Sequence, residues 1–402
     1  MTPETDRTRP GVALIVALLL AGIALRPQLG AVGPLVPRIQ HDLHISHAVA
    51  GLLGTIPVLC MGLFAPAAPA VARRIGTGRA VGLALGVVAL FGVLRVLVPD
   101  AWQVLVLTVP VGIGIAVAGT LMPVAVREIM PGRTSTGTGL YAAGMNIGSA
   151  ASPALAVPLA VWLGGWRDSL AGLAVAGGVL AAAWLVLSRG QGAGAGGRAA
   201  SVPAPFPLRS GLAWVCCGIF GLLGISFYGI AAWLPDSLGE HGWSDRNAGY
   251  VLAVALATSA PVTLAVPGLS ERFGSRRSWM ASGALIQVAA VALFIVWPGG
   301  GWAWAVLLGT SLGIEFSTLM LLPLDLGQGA SRVAAAAGMM LGVGYTLSAI
   351  GPFALGAVRD ATGSYTTSLW LIAGCAALVA LSALPLTRPR LARAADASAA
   401  GN

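Results

Sequence analysis

Arg26 is the charged residue whose position is hardest to explain by structure alone. It stands in the stretch ALRPQLGAVGPLVP, about fifteen residues into an apolar run that starts at Val12. At ~1.5 Å per residue a helix carries it roughly 22 Å into a hydrocarbon layer about 30 Å thick, where a charge costs about 3 kcal/mol on insertion scales. Pro27 follows and breaks a helix, which membranes tolerate where the freed groups line a cavity. The pattern favours an arginine that binds an anionic or strongly polar ligand through its forked donors; an interior ion pair and a snorkelling side chain are the alternatives.

Glu315 is the only acid that we place well inside an apolar segment. It lies ~20 Å along the helix from Trp302, in the half of the membrane that is opposite to the start of that segment. Three roles are open: a proton-coupling carboxylate, a partner for a cationic substrate, or a neutral or ion-paired carboxyl that only lines the cavity. Its expected depth differs from that of Arg26 by roughly 10 Å, so the sequence does not require a salt bridge between them.

Four further polar or aromatic residues are candidates for the same site. Tyr228 has an expected depth close to that of Arg26 and could hydrogen-bond to or stack on a substrate, whereas Trp233, nearer the helix end, is either a site residue or part of an interfacial aromatic belt. Asn146 is a second candidate inside the membrane, and Tyr141 lies nearer to the end of the same helix. We therefore predict that substrate contacts come from Arg26 together with these four residues.

Composition sets the class of protein. Of the 402 residues, 57% are hydrophobic and 9% are charged, whereas a soluble domain has about 25% charged residues. The net charge is +9 and all 23 basic residues are arginine, a distribution over short loops that suits membrane topology better than nucleic-acid binding. No Ser/His/acid or Cys/His set can be assembled inside the membrane, so we expect a protein that is not an enzyme and that has no metal and no cofactor.

Apolar runs of about twenty residues predict an all-α polytopic membrane protein with twelve spans. These lie at about 11–36, 47–71, 80–98, 102–126, 137–163, 168–187, 211–236, 247–268, 278–297, 302–324, 333–358 and 367–386. A Gly-rich and then Pro-rich break separates the sixth span from the seventh and is typical of a flexible linker. The predicted organisation is a tail at 1–10, a six-helix bundle at 11–187, a linker at 188–210, a second bundle at 211–386 and a tail at 387–402.

Arginine placement predicts the orientation. Seventeen arginines fall in the tails, the linker and the loops of one side, and four fall on the other side. The positive-inside rule then places both termini and the linker in the cytoplasm, with the spans in the inner (plasma) membrane and surrounded by lipid.

The two predicted bundles resemble each other in sequence. PAVARRIG (69–76) matches PGLSERFG (267–274) at an offset of 198, and Ser149, Pro153, Ser169 and Leu170 match Ser348, Pro352, Ser368 and Leu369 at an offset of 199. Repeated matches at one offset around a central linker indicate two parallel repeats related by an axis along the membrane normal. This is a transporter architecture, with a substrate site where the halves meet near the midplane.

Twelve spans, a central linker and basic loops after spans 2 and 8 resemble the major facilitator superfamily. The loop ERFGSRR (271–277) is similar to the acidic–Arg–x–Gly–x–basic signature of that superfamily, while RRIGTGR (73–79) has Arg73 where the acid is expected. The resemblance implies a gating role for both loops. The residues concerned are Arg73, Arg74, Arg79, Glu271, Arg272 and Arg277.

Longer stretches resemble the cyanate and 2-nitroimidazole permease family within that superfamily. They include LRPQLGAVGPLVPRI (25–39), TGTGLYAAGMNIGSAASPALAVPLA (136–160), FYGIAAWLP (227–235) and GPFALGAVRDATGSY (351–365). Ala24 and Gly119 depart from the family by replacing two asparagines. The resemblance implies a monomeric secondary transporter of a small polar or anionic solute that works by alternating access, with a proton as a candidate coupling ion. A proton-coupled exporter of drugs or metabolites, with a cavity centred on Glu315, is the alternative.

Overall fold

The computed structural model describes residues 12–130, 133–188, 206–326, 330–387 and 389–391. The predicted tail at 1–10, residues 189–205 of the predicted linker and most of the predicted tail at 387–402 lie outside the described residues. So do several arginines used to predict orientation. These are Arg7, Arg9, Arg189, Arg198, Arg388 and Arg393.

The described residues of the first half form nine helices that build six membrane spans. They are α1 (Val12–Ala24), α2 (Pro27–Gly30), α3 (Val32–Leu43), α4 (His47–Phe64), α5 (Ala68–Ile75), α6 (Thr77–Leu97), α7 (Ala101–Ile129), α8 (Thr134–Leu163) and α9 (Trp166–Leu187). Helices α1 to α3 together form span 1, and α4 and α5, joined by a 3-10 turn at Ala65–Ala67, form span 2.

The part of the second half that the structure describes forms seven helices, which build the other six spans. They are α10 (Gly211–Glu240), α11 (Asp245–Arg272), α12 (Arg276–Val296), α13 (Gly301–Leu326), α14 (Ala330–Ser348), α15 (Ile350–Thr362) and α16 (Tyr365–Ser382). Helices α14 and α15 together form span 11. The described residues thus hold twelve helical segments that are long and apolar enough to cross a membrane, which confirms the predicted number.

The predicted span ends are less accurate than the predicted number of spans. Span 1 was expected to end at 36, but α3 continues to Leu43 through Arg38, His41 and Asp42. A helix does not have to end where the hydrocarbon ends, and polar residues continue it into the headgroup region. It ends at His44, whose positive φ of 51° turns the chain back toward α4.

Short polar caps begin most of the helices of the second half. Ser244 accepts a hydrogen bond from the Asn247 amide at the start of α11. Ser275 and Ser278 form a reciprocal capping box at the start of α12. These caps satisfy the first free N–H groups of helices whose sides are apolar all round. The described turns between adjacent spans of the second half are therefore only two to four residues long.

The internal repeat is visible in matching hydrogen bonds. The Ser169 hydroxyl of α9 donates to the Ala156 carbonyl of α8 over 2.7 Å, and the Ser368 hydroxyl of α16 donates to the Leu355 carbonyl of α15 over 2.9 Å. Both members of the second pair stand 199 residues after those of the first, which is the offset found in the sequence. The two halves are thus built in the same way where spans 5 and 6, and spans 11 and 12, meet.

The hydrophobic core is divided at one end of the bundle and shared at the other. We call the end with the turns at Gly76, Arg133 and Gly274 the arginine-rich end, and the end with the turns at 44–46, 164–165, 241–244 and 363–364 the arginine-poor end. Toward the arginine-rich end each half has its own core, around Leu121 and Trp184 in the first half and around Ile219 and Met340 in the second. Toward the arginine-poor end one core contains side chains from both halves, among them Leu35, Leu53 and Leu234. The halves are therefore packed together at the arginine-poor end.

Candidate functional site

Arg26 lies at a break in span 1. Pro27 has no N–H to donate to the Ile23 carbonyl, which instead accepts from the Arg26 amide over 3.4 Å. Helix α1 ends at Ala24 and α2 starts at Pro27, so Arg26 occupies the junction. The close packing of α8 fixes this junction, because a Cβ on Gly148 would lie 2.7 Å from the Ile23 oxygen and 3.2 Å from the Arg26 Cβ.

Three tyrosines lie near enough to Arg26 to interact with its charge. Tyr141 comes from α8, Tyr228 from α10 and Tyr345 from α14, and Arg26 interacts electrostatically with the hydroxyl of each. The Tyr228 hydroxyl is also within hydrogen-bonding reach of the guanidinium. The sequence predicted Tyr141 and Tyr228 and missed Tyr345. Residues from both halves therefore converge on one cation.

The Arg26 side chain is not neutralised by an acid in the described part of the chain. No carboxylate lies within ion-pair distance of it there, and its buried Nε has no hydrogen-bond partner. The residue as a whole keeps part of its accessible surface. A partly accessible cation with an unused donor can donate a hydrogen bond to the acceptor of a ligand.

The space between the Arg26 site and the arginine-poor end is closed. Only about 20 Å³ of space remains between α2, α3, α4 and α10, next to Leu29, Gly33 and Tyr228. Gly33 of α3 lies so close to α10 that a Cβ would be 2.0 Å from the Ala231 oxygen. A solute at Arg26 therefore cannot leave toward that end in this conformation.

Trp233 and Asn146 make no hydrogen bond to Arg26 within the described residues, although Trp233 lines the same small cavity as Tyr228. Trp233 is 3% exposed and its indole nitrogen donates to the Pro352 carbonyl over 2.7 Å, so the alternative of a lipid-facing belt residue is wrong. Its ring lies beside those of His47 and Tyr365 at the arginine-poor end. Asn146 is half-buried, and its side chain makes no hydrogen bond within the described residues.

Glu315 is fully buried between α12 and α13, away from the three tyrosines. With the Gln287 amide oriented so that its nitrogen faces the carboxylate, that nitrogen donates to both Glu315 oxygens over 2.9 and 3.2 Å. Gly283 makes room for the side chain, because a Cβ there would be 2.9 Å from the Glu315 Cγ. Glu315 forms no ion pair with Arg26 or with any other described cation. The described hydrogen bonds of Glu315 therefore come from its own half, at Gln287 of α12.

A buried network behind the helix break was missed by sequence reasoning. Arg95 of α6 is 1% exposed and donates to the Gln28 Oε1 over 2.9 Å, to the Gln28 carbonyl over 3.1 Å and to the Thr108 hydroxyl over 3.4 Å. Gln28 in turn donates to the Leu170 carbonyl. The signal was an arginine three residues from the end of a span, which sequence alone cannot distinguish from a snorkelling side chain. The network fixes α2, and with it the position of Arg26.

The predicted gating residues are exposed. Arg73, Arg74, Arg79, Glu271, Arg272 and Arg277 form no ion pair within the described structure. Polar contacts at this end involve their neighbours: Thr77 donates to Glu128 over 2.9 Å, and Arg276 pairs with Asp325 over 2.9 Å. Each contact joins the start of span 3 or 9 to the end of span 4 or 10, and neither crosses between the halves.

Polar contacts that do cross between the halves lie toward the arginine-poor end. Arg38 pairs with Asp245 over 3.3 Å, and His47 Nδ1 lies 2.7 Å from Asp360 Oδ1. Nearer the middle of the membrane the Thr55 hydroxyl donates to the Ala349 carbonyl over 2.6 Å, at the break between α14 and α15. These described contacts therefore hold the halves together from the arginine-poor end to the break between α14 and α15.

The family follows from the match to known sequences. Residues 13–349 match the model of the Major Facilitator Superfamily. The chain belongs to this superfamily. It is 31% identical over 378 residues to the 2-nitroimidazole transporter of Escherichia coli (strain K12), covering 93% of this chain and 95% of that protein. It is 27% identical to the cyanate transport protein CynX of the same organism, covering 94% of this chain and 99% of that protein.

Solved structures of the superfamily share the fold. The nucleoside transporter NupG superimposes with a TM-score of 0.76 at 14% identity, covering 93% of this chain and 99% of that one. The resemblance to the cyanate and 2-nitroimidazole permease family is confirmed, and the protein is a multi-pass membrane protein of a transporter superfamily.

Proposed function

We propose that this superfamily member is a secondary transporter of a small anionic or strongly polar solute and that Arg26 is its main recognition charge. The observation that carries the proposal is the Arg26 guanidinium, which lies at a helix break, has no described acid beside it and has an unused buried Nε donor. Three tyrosine hydroxyls around it can donate or accept hydrogen bonds. Planar anions such as cyanate, and planar polar rings such as 2-nitroimidazole, match a forked cationic donor flanked by aromatic rings.

The proposed transport cycle is alternating access between the two six-helix bundles. Shared packing at the arginine-poor end and separate cores at the arginine-rich end support a conformation in which the site is reached from the arginine-rich end. With the positive-inside rule this end is cytoplasmic, so the conformation would be inward-facing in the plasma membrane. The exporter alternative predicted a cavity centred on Glu315. The Glu315 carboxylate is instead hydrogen-bonded to Gln287, and no described observation favours the exporter alternative.

The test is uptake into proteoliposomes with an imposed pH gradient, using labelled cyanate and labelled 2-nitroimidazole. For the probe that the wild type accumulates, Arg26→Ala should lower uptake about ten-fold or more, because a charge-assisted hydrogen bond contributes about 1.5–3 kcal/mol. Arg246→Ala, at an exposed arginine of the arginine-poor end, is the matched control and should retain uptake. Thermal unfolding of both variants checks that they are folded.

A second comparison separates the tyrosines. Tyr228→Phe and Tyr345→Phe should raise the KM for the transported probe, whereas Tyr250→Phe on α11 should not, because Tyr250 is not among the tyrosines that interact with Arg26. If neither probe is transported, the proposed substrate class is wrong. If a probe moves equally well in wild type and Arg26→Ala, Arg26 is structural.

A further inference from the structure

Two ion pairs between the halves at the arginine-poor end are related by the internal repeat. Arg38 pairs with Asp245 over 3.3 Å, and His47 Nε2 lies 3.6 Å from Asp236 Oδ2. Asp236 stands 198 residues after Arg38, and Asp245 stands 198 residues after His47, the offset that relates the basic loops of the two repeats. The same pair of positions is thus used twice, with acid and base exchanged. In one pair the base is a guanidinium, which is always charged; in the other it is an imidazole, a group that titrates near neutral pH.

Both ring nitrogens of His47 face carboxylate oxygens. Nδ1 lies 2.7 Å from Asp360 Oδ1, and Nε2 faces Asp236. Asp360 also accepts from the backbone amides of His47 and Ala48, over 3.0 and 2.8 Å, and Asp236 accepts from the Tyr365 hydroxyl. A neutral imidazole with its N–H on Nδ1 can donate to Asp360 but leaves Nε2 bare toward Asp236. Nε2 lies within ion-pair rather than hydrogen-bond distance of Asp236, so a second proton there adds an electrostatic attraction. The described geometry therefore fits a proton held on His47.

The charged groups packed around His47 are mainly acidic and so favour a proton on its ring. Helix α10 contributes Asp236 and Glu240, helix α15 contributes Asp360 and Arg359, and helix α16 contributes the Tyr365 hydroxyl. Arg359 pairs with Glu240 and lies over the Tyr365 ring, with 5.2 Å between the guanidinium carbon and the ring centroid. Asp236 and Asp360 then have His47 as their shared cation. The His47 side chain is 24% exposed, so water can deliver the proton.

We propose that His47, with Asp236 and Asp360, is a proton-binding site that controls closure of the arginine-poor end. A proton from water at this end adds to the bare ring nitrogen, the imidazolium donates its Nδ1–H to Asp360 and attracts Asp236 across 3.6 Å, and the two halves close over the site. When the proton returns to that water, the attraction to Asp236 is lost and this end opens more readily. The effect of this closure on transport rests on the proposed function, whereas the pH-dependent closure itself does not.

Hydrogen–deuterium exchange tests the closure directly. The peptide that begins α4 is followed in lipid nanodiscs at pH 5.5 and 8, without substrate, with labelling times adjusted for the intrinsic exchange rate. In the wild type, adjusted exchange should be about five-fold faster at pH 8, the size expected for one partly exposed ion pair. His47→Gln should exchange alike at both pH values, and His47→Arg should exchange slowly at both, because its charge does not titrate.

Matched variants separate His47 from general effects. His41→Gln, at an exposed histidine of the same end, should keep the wild-type pH dependence. Asp236→Asn removes the carboxylate that faces Nε2 and should lose most of the pH dependence. This variant keeps the test available if the His47 variants do not fold. A wild type without pH dependence, or a His47→Gln protein that retains it, overturns the proposal.

A transport measurement then separates this inference from the proposed function. With the pH varied only on the arginine-poor side of the proteoliposomes, substrate exchange by the wild type should change up to about five-fold between pH 5.5 and 8, whereas exchange by His47→Gln should not depend on that pH. If pH-dependent protection is present but Arg26→Ala transports normally, the proton site stands and the proposed substrate site fails. If Arg26→Ala loses uptake while His47→Gln keeps the wild-type pH dependence, the substrate site stands and the proton site fails.

Discussion

Among the described residues, several polar contacts at the arginine-poor end cross from one half to the other, whereas those at the arginine-rich end stay within a half. Arg38–Asp245 and His47–Asp360 are of the first kind, and Arg276–Asp325 is of the second. Contacts between the halves stabilise one conformation relative to another, because they break when the halves separate. Contacts within a half persist in every conformation in which that half moves as a rigid body. The same kind of ion pair thus has a conformational role at one end and a stabilising role at the other.

The apolar contacts follow the same division. One core contains residues of both halves toward the arginine-poor end, while each half has a separate core toward the arginine-rich end. Glycines let the halves approach: Gly33 and Gly51 each lie so close to a carbonyl of the other half that a Cβ would be 2.0 and 2.4 Å from its oxygen. Backbone-to-backbone packing of this kind is how membrane helices associate closely.

The largest expected effect is that of a methyl group between the halves. Gly33→Ala places a Cβ against the Ala231 carbonyl, which cannot rotate aside as a flexible side chain would, so the closed arginine-poor end is strained by about 1–3 kcal/mol. Transport of the accepted probe should fall about ten-fold or more, and exchange at the start of α4 should rise.

Gly119→Ala on α7 is the matched control for Gly33→Ala. A Cβ at Gly119 has no heavy atom within 4 Å, so transport and exchange should remain as in the wild type. Equal behaviour of the two alanine variants would show that close approach of α3 and α10 is not required for the cycle.

An intermediate effect is expected from removing one ion pair at each end. Asp325→Asn breaks the contact with Arg276 within the second half and should lower the Tm by a few degrees, without changing exchange at the start of α4. Asp245→Asn breaks the contact between the halves and should raise that exchange, by a factor that corresponds to about 0.2–1 kcal/mol because both side chains are partly exposed. The comparison fails if both variants change the same quantity.

Much of the fold could be predicted from apolar runs and proline. The twelve spans follow from the apolar runs, and the break in span 1 follows from Pro27. The offset between the repeats identified Ser169 and Ser368 as equivalent positions, and they make equivalent hydrogen bonds. Span ends were less predictable, because a helix such as α3 continues beyond the apolar run.

The site could be predicted only in part. Arg26 was identified because a charge in an apolar run is costly wherever the neighbouring helices lie. Tyr345 and the environment of Glu315 were not identified. The rotation of a helix about its axis decides whether a side chain faces the other half, its own bundle or lipid. The sequence does not show this rotation here, because these helices are apolar on all sides. Pairs such as His47 and Asp360 are separated by hundreds of residues and meet only through tertiary packing.

The smallest expected effect comes from the basic loops. Arg272 is exposed and has no ion-pair partner within the described residues, so Arg272→Gln should change the Tm by no more than about 1 °C, as for surface substitutions within ±0.5 kcal/mol. If the loop gates, as the superfamily resemblance implies, its contacts form only when the arginine-rich end closes. Arg272→Gln should then lower transport about two- to three-fold and leave exchange at the start of α4 at or below the wild-type rate, because losing contacts of the opposite conformation favours the described one. Faster exchange at the start of α4 would show that Arg272 stabilises the described conformation rather than the conformation in which the arginine-rich end is closed.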